Sequence, residues 1–261
     1  MNKKSKSFLK ALLLLLAGAL VVVLIYFLYV LLSFYRIPDN TELAIENNQS
    51  RIVEQGVEYT AVTYNVGFGC YSKEFSFFMD EAEWKDGSHT RGVYGKGMSR
   101  EDVIENVETQ AAVLRDIRPD FILLQEVDTD STRSYHIDMA SYFEETFPFM
   151  GGTYASNFHS PWLNLPVLDP IGVVNSGILT LSRFKTDYAV RRSYPIASNL
   201  SKLFDLDRCF TVERIPVEGG KTLVLINSHA SAYDDGGVIR AQQMEMLFSF
   251  VEEEYKKGNW V

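Results

Sequence analysis

The distribution of apolar and polar residues divides the chain into one long apolar segment and a series of shorter periodic segments. Residues 11–35 carry no charge, and about 20 predominantly apolar residues are enough for a helix to cross a bilayer core. After residue 58, apolar residues recur either at every second position, which is typical of strands, or three and four positions apart, which is typical of helices. The pattern therefore predicts an N-terminal apolar helix followed by a domain of mixed α and β structure.

The periodic segments predict a layered α/β domain. A helix is predicted to begin after Ser99, an N-cap residue, and to bury one stripe of apolar side chains. The strand that follows, residues 121–125, is apolar without alternation, as strands covered on both faces are, and it runs directly into Glu126. Further strands are predicted at residues 59–65, 152–157, 176–182, 187–194, 209–216 and 222–229, and further helices at residues 135–146 and 237–257.

The N-terminal pattern predicts four regions: a basic tail over residues 1–10, a transmembrane anchor over 11–35, a polar linker over 36–58, and a domain over 59–261. The four lysines before the apolar run predict a cytoplasmic N-terminus and an extracytoplasmic domain in a single-pass membrane protein. A cleaved signal peptide is the alternative. The small residues 17–19 lie inside the apolar run instead of after it, which favours a retained anchor and leaves cleavage open.

The net charge narrows the class of substrate, and the cysteine content limits disulfide bonding. The chain carries a net charge of −9, and because residues 1–35 contain four lysines and no acidic residue, the remainder carries −13. Proteins that rely on general attraction to nucleic acid have a basic surface, so this balance favours a lipid head group or a small phosphoester over bulk DNA. Cys70 and Cys209 permit at most one disulfide, and the sequence leaves open whether it forms.

Candidate chemistry lies where apolar strands end in polar residues: Asn65, Glu126, Asn227 and His229. Each alone has a structural interpretation, as a turn cap, a solvated carboxylate or a core histidine. Together they predict one site at a sheet edge. One carboxylate, two amides and one imidazole do not make a closed zinc site. Magnesium or manganese, which take oxygen ligands and leave positions for water and phosphate, fit the set better.

Four motifs in this order, "VTYNVGFG", "PDFILLQEVD", "NSGILTLSRF" and "LVLINSHASAYDD", resemble those of the endonuclease/exonuclease/phosphatase family. The resemblance runs from about residue 59 to residue 261 and implies a four-layer α/β/β/α sandwich. It implies that Asn65 orients the phosphate and the metal-bound water and that Glu126 ligates Mg²⁺, which makes these two the candidate metal residues. It further implies that His229 hydrogen-bonds the scissile phosphate and that Asn227 shapes the strand end.

The resemblance also places four residues where family members line the substrate cleft. They are Asp128, Arg133, Ser176 and Gly177. The chain departs from the family at its end, because it contains no Gly-Asp-x-Asn motif and no terminal Asp-His pair, and Trp260 resembles the start of another strand. The expectation is a domain whose C-terminal part is missing and which is inactive alone, with a fragment and a true truncation both open.

The resulting hypothesis is a membrane-anchored, extracytoplasmic, Mg²⁺-dependent phosphoesterase that hydrolyses phosphomonoesters or phosphodiesters with a metal-activated water. Its expected partners are the membrane and a phosphoester substrate, which is a lipid head group, a small phosphoester or a nucleic acid. No protein partner is predicted. The alternative is a non-catalytic binding or surface protein that retains the sandwich fold. A metal-independent hydrolase using His229 is a third, weaker hypothesis.

Overall fold

The computed structural model describes residues 3–196, 207–231 and 235–261. The chain divides into two compact units, Met1–Tyr35 and Arg36–Val261. The end of the fourth sequence motif, residues 232–234, lies outside the described residues.

The first unit is a single helix, α1, which spans Lys3–Ser33. Residues 5–33 are long and apolar enough to cross a membrane, and an 18-residue window within them has a mean hydropathy of 3.0. A signal sequence near an N-terminus has the same length and composition, so α1 is either a membrane anchor or a signal sequence.

Two four-stranded sheets form the frame of the second unit. Sheet I has the strand order β2-β5-β7-β6, and sheet II has the order β1-β8-β9-β10. In sheet I the strands are β2 (Ala61–Asn65), β5 (Phe121–Asp128), β6 (Gly151–Leu163) and β7 (Gly172–Ser182). In sheet II they are β1 (Thr41–Glu42), β8 (Tyr188–Ser193), β9 (Cys209–Val217) and β10 (Lys221–His229). The predicted strands are present, and β6 and β7 are longer than the sequence pattern indicated.

Helix α2 (Arg100–Ile117) connects the parallel strands β2 and β5. The predicted cap is observed: the Ser99 side chain accepts a hydrogen bond from the Asp102 backbone N–H, at 3.1 Å. The helix ends at Arg118 in a left-handed conformation. The remaining helices are α3 (Met139–Thr146) and α4 (Val238–Lys256), and a small two-stranded sheet joins β3 (Glu81–Glu83) to β4 (His89–Arg91).

The segment predicted as a linker, residues 36–58, is in contact with both sheets. β1 pairs with β8 of sheet II, and Glu46 forms a bridge to Gly152 at the start of β6. Val53 forms a parallel bridge to Val217 and is 2 % exposed. The compact unit accordingly begins at Arg36 and includes this segment.

Sheets I and II face each other across an apolar cluster. Side chains alternate between the two faces of a strand, and the faces that meet are shown by the buried cluster that joins β5 to β9: Val53, Phe121, Leu123, Phe184, Ile215 and Val217. The opposite face of sheet II, including Phe210 and Val212, is covered by apolar residues of α4 such as Met244 and Phe250.

Trp260, which the sequence pattern predicted to begin another strand, lies beside β10. Its backbone N–H donates to Thr222 O at 2.9 Å, its carbonyl accepts from the Val224 N–H at 2.7 Å, and it bridges Leu223 in parallel. A shallow groove of about 470 Å³ lies beside it and is lined by Phe248, Val251, Glu252, Tyr255, Asn259, Trp260 and Val261. This groove is separate from the polar residues at the strand ends.

Candidate active site

Three of the predicted site residues lie together where strands of the two sheets end. Asn65 ends β2, Glu126 lies near the end of β5, and His229 ends β10. The Asn65 amide nitrogen donates to Glu126 Oε1 at 3.0 Å, and His229 Nε2 lies 3.4 Å from the same oxygen. The carboxylate of sheet I and the imidazole of sheet II therefore meet across the gap between the sheets.

A bulge in β5 aims the Glu126 side chain. The pairing of β5 with β7 shifts between Gln125 and Val127, and Glu126 has a left-handed backbone with φ +57°. In a regular strand Glu126 would share a face with Ile122 and Leu124, away from sheet II. Bulges redirect side chains, and a left-handed non-glycine residue stores backbone strain of the kind often found at functional sites. The bulge is therefore what brings the carboxylate to His229.

Two residues that the sequence analysis missed surround His229. The amide nitrogen of Asn157, which sits in a bulge of β6, lies 3.1 Å from His229 Nδ1. An amide N–H donates, so in this contact Nδ1 is the acceptor. Arg208 Nη1 lies 2.8 Å from Nδ1 and 2.7 Å from Nε2. Arg208 precedes β9 and ends no apolar strand, so no strand-end pattern in the sequence marks it.

The surroundings of Glu126 and His229 lower the pKa values of both groups, which leaves the carboxylate charged and the imidazole neutral. Burial raises the pKa of Glu126, but the hydrogen bonds from His229 and Asn65 outweigh it and lower the pKa to about 2. Burial is the main cause that lowers the pKa of His229, and the Arg208 charge lowers it further against the raising effect of Glu126. The site therefore holds a carboxylate anion beside a neutral imidazole, with the positive charge supplied by arginine.

Asn65 is oriented by the turn that follows β2. Its side-chain oxygen accepts from the Gly67 backbone N–H at 2.9 Å, so its amide nitrogen faces Glu126. In this arrangement Asn65 presents a donor to the carboxylate and positions it, while its oxygen is already engaged in the turn.

The donor set can be tested against a divalent ion. Over residues 3–196, 207–231 and 235–261, no group of three or more His, Cys, Asp or Glu side chains is arranged to hold a metal. Glu126 is a single ionised carboxylate whose side chain is 24 % exposed. Mg²⁺ is often held by one or two carboxylates, with substrate phosphate and water completing the octahedron. Glu126 fits that role, and Asn65 fits as a residue that orients it.

Asn227 lies one layer deeper than the other three predicted residues and is 1 % exposed. Its oxygen accepts from Gln125 Nε2 at 2.7 Å, and its amide nitrogen donates to the carbonyls of Leu124 and Leu179, at 3.2 and 3.1 Å, and to Thr180 Oγ1, at 3.3 Å. These bonds connect β10 of sheet II to β5 and β7 of sheet I. The structure thus places Asn227 between the sheets, two residues from His229, where it fixes the end of β10.

Asp128 and Arg133 form a closed ion pair beneath the site. Arg133 binds the Asp128 carboxylate through two nitrogens at 2.9 and 2.8 Å, and Ser134 Oγ donates to it at 2.9 Å. The guanidinium carbon also lies 3.8 Å from the centre of the Phe68 ring. Both charged side chains are buried, so in this structure they form part of the floor of the site.

Ser176 and Gly177 pair with the end of β5, opposite Asp128 and Val127. Ser176 is 2 % exposed, and its hydroxyl oxygen is buried without a hydrogen-bond partner. At Gly177 a Cβ atom would lie 2.3 Å from the Ala155 carbonyl oxygen, so only glycine fits. These two residues lie beside the end of β5, next to the bulge at Glu126.

No protein-family model and no curated protein matches this chain. Among solved structures, an endonuclease/exonuclease/phosphatase from Beutenbergia cavernae is similar with a TM-score of 0.48 and 18 % identity, over 73 % of this chain and 43 % of that one. A family protein from Leptotrichia buccalis has a TM-score of 0.45 and 13 % identity, over 74 % of this chain and 61 % of that one. ANGEL2, described as a 2′,3′-cyclic phosphatase, has a TM-score of 0.45 and 14 % identity, over 82 % and 50 %.

The structural neighbours are therefore endonuclease/exonuclease/phosphatase proteins at low sequence identity, the same family that the sequence motifs resemble. The chain spans 43–61 % of the length of these three solved chains.

Proposed function

We propose that Arg36–Val261 is the phosphoesterase domain of a membrane-anchored protein, built as a four-layer α/β/β/α sandwich, and that it uses Mg²⁺ or Mn²⁺ held by Glu126. The observation that carries the proposal is the meeting of Glu126, Asn65 and His229 at 3.0 and 3.4 Å, at the ends of strands from two sheets. A backbone bulge that turns a carboxylate toward this gap is a costly feature that packing alone does not require.

Glu126 is the residue that would hold the metal, and Asn65 keeps its carboxylate in position. When bound, a divalent ion supplies Lewis-acid charge and lowers the pKa of a coordinated water. A pKa of about 2 keeps Glu126 ionised throughout the physiological range, as a metal ligand must be.

His229 and Arg208 supply hydrogen-bond donors on the other side of the gap. His229 Nε2 lies beside the carboxylate, where an N–H on this atom would donate to a phosphate oxygen that enters there. Arg208 adds a permanent positive charge beside the ring, and guanidinium groups bind phosphate well. The Asn157 amide contacts Nδ1 and holds the ring in the orientation that this role needs.

The proposal includes α1 as a single-pass anchor with a cytoplasmic N-terminus and an extracytoplasmic domain. It is supported by the uncharged run of residues 11–35 and by the lysines that precede it. The net charge of −13 beyond residue 35 favours a lipid or small phosphoester substrate over bulk nucleic acid.

Metal binding tests the proposal without depending on turnover. The full chain in detergent is titrated with Mg²⁺ and Mn²⁺ by calorimetry and then with inorganic phosphate. We expect saturable metal binding, and phosphate binding that requires the metal. Glu126→Gln, which removes the charge but keeps the shape, should weaken metal affinity by at least about tenfold, since even outer-shell partners of a metal contribute that much. Glu108→Gln, at an exposed position of α2, is the matched control and should change nothing.

Turnover of bis(4-nitrophenyl) phosphate and 4-nitrophenyl phosphate is then measured on this chain and on any in-frame extension of its gene past Val261. Loss of activity in EDTA and in Glu126→Gln would support the proposal. Folded protein with no affinity for either metal would contradict it and would favour the non-catalytic surface protein. Turnover that is unchanged in EDTA would instead indicate a metal-independent hydrolase.

A further inference from the structure

The β6–β7 hairpin extends past the candidate site and ends in an apolar tip. Asp128 at the end of β5 pairs with Ser176, while β7 begins four residues earlier, at Gly172, opposite Leu163 of β6. At about 3.4 Å per residue this arm projects roughly 14 Å beyond the end of β5. The candidate site therefore lies at the base of the arm.

The tip, residues 162–168, exposes large apolar side chains. Trp162 is 42 % exposed, Leu165 45 %, Val167 68 % and Leu168 98 %. Val93 is 60 % exposed in the segment that contacts the tip through Gly95. Single exposed apolar residues are ordinary on a protein surface, but several in one short loop, with a tryptophan among them, mark a site of interaction.

The tip has a fixed backbone. Ile171 N–H donates to Leu165 O at 2.9 Å, closing the loop on itself. Asp169 accepts from the Gly95 N–H at 2.9 Å and pairs with Lys96 at 3.4 Å, which holds the tip against the neighbouring segment. At Gly95 a Cβ would lie 1.9 Å from the Asp169 carbonyl oxygen, so the two backbones are in close contact. The apolar side chains are thus presented by an ordered loop.

The chain enters the domain at the same end. Arg36 Nε bonds Asp207 Oδ1 at 2.9 Å, its Nη2 donates to Tyr194 O at 2.8 Å, and the Ile37 N–H donates to Asp207 Oδ2 at 2.9 Å. Asp207 precedes Arg208, the residue that contacts His229. His159 of the β6 arm lies 3.8 Å from the same carboxylate. The entry point, the site and the hairpin arm are therefore adjacent within the domain.

Only two residues separate the last residue of α1, Ser33, from Arg36. A chain of that length spans at most about 10 Å. If α1 is held in a bilayer, the surface of that bilayer cannot be far from the Arg36–Asp207 contact. A lipid surface is therefore the partner that the chain itself brings close to the apolar tip.

We propose that the tip at residues 162–168 inserts into the interface of a lipid bilayer, so that the candidate site takes its phosphoester from a lipid head group. Tryptophan and aliphatic side chains are the types that insert at this depth. The bilayer that receives the tip is zwitterionic, because a domain with a charge of −13 is repelled by an anionic bilayer. The substrate part of the proposal rests on the proposed function, whereas insertion of the tip does not.

The test uses the full chain in phosphatidylcholine nanodiscs, with Leu168→Cys carrying an environment-sensitive fluorophore. Cys70 and Cys209 are free but buried, and burial raises the pKa of each thiol to about 12, so the introduced cysteine reacts selectively. Ile117→Cys is the matched control. It is 47 % exposed and lies at the end of α2 that leads into the start of β5, at the opposite end of sheet I from Glu126. Substitution at these exposed positions leaves the core intact.

Spin-labelled phosphatidylcholine should quench the label at residue 168 roughly twofold more than the label at residue 117, because interfacial side chains lie about 5–10 Å into the headgroup boundary. Val167→Cys should repeat the result. Equal quenching at residues 168 and 117 would overturn the proposal. Shielding of residue 168 from aqueous iodide without quenching by lipid would also overturn it, because it would show that protein covers the tip. None of these readouts depends on metal binding or turnover, so they are separate from the test of the proposed function.

Discussion

The space between sheets I and II is apolar at one end and polar at the other. At the end where β5 begins, Phe121 and Leu123 pack against Ile215 and Val217, and the rings of Tyr59 and Phe184 surround Phe121. At the end where β5 finishes, the same two sheets enclose amides, hydroxyls and carboxylates. Both ends are buried, so the difference lies in how each holds the sheets together.

At the polar end, hydrogen bonds join buried groups of the two sheets. Thr153 of sheet I donates to Glu213 of sheet II at 2.7 Å, and Gln125 donates to Asn227 at 2.7 Å. Apolar contacts are non-directional, whereas a hydrogen bond fixes both partners. We infer that the apolar end supplies most of the stability. The polar end sets the relative position of β5 and β10, and hence the distance from Glu126 to His229.

The largest effect on stability is expected at the apolar end. Phe121→Ala removes a ring that is 4 % exposed, and we expect the free energy of unfolding to fall by about 4 kcal/mol. Urea unfolding of the chain in detergent measures it. Tyr255→Ala, at a position that is 75 % exposed, is the control and should change stability little. A loss below about 1 kcal/mol at Phe121 would show that this cluster is not where the stability resides.

An intermediate effect is expected at the centre of the polar end. Asn227→Ala leaves the amide of Gln125 and the carbonyls of Leu124 and Leu179 without their partner, and we expect a loss of about 2–3 kcal/mol. The same urea measurement applies. Gln55→Ala removes an exposed amide bond to Glu218 O, and its effect should be much smaller. Equal effects of the two substitutions would show that the buried amide of Asn227 contributes no more to stability than the exposed amide of Gln55.

The third effect is expected at Glu213, and it depends on pH. Burial raises the pKa of Glu213 to about 7, against the hydrogen bond from Thr153, which lowers it. The folded state therefore binds this proton more tightly than the unfolded state, and the contribution to stability is lost as pH rises from about 4.5 to about 7. Glu213→Gln stays neutral, so its stability relative to wild type should increase by about 3 kcal/mol between pH 4.5 and pH 8.

Urea unfolding of Glu213→Gln at several pH values measures this difference, with Glu218→Gln at an exposed turn as the control. A difference between Glu213→Gln and wild type that is flat with pH would mean that Glu213 is not held in its protonated form by the polar end.

The sequence analysis recovered the elements of the fold but not their arrangement. It located Asn65, Glu126 and His229 because each ends an apolar strand, and these three are in contact in the structure. It grouped Asn227 with them as a strand-end residue, whereas the structure buries this amide between the sheets. A strand pattern reports which residues share a face, and Asn227 and His229 do share one; it does not report how deep along that face the neighbouring sheet extends.

The apolar helix, the order of strands and helices, and the polar residues at the strand ends could be predicted from the sequence, because periodicity and capping are local properties of the chain. The packing of residues 36–58 on both sheets, and the positions of Asn157 and Arg208 around His229, became visible in the folded chain, and so did one further feature. That feature is the bulge at Glu126 that turns the carboxylate between the sheets. These features depend on contacts between segments far apart in the chain, and the alternation of side chains along one strand carries no information about them.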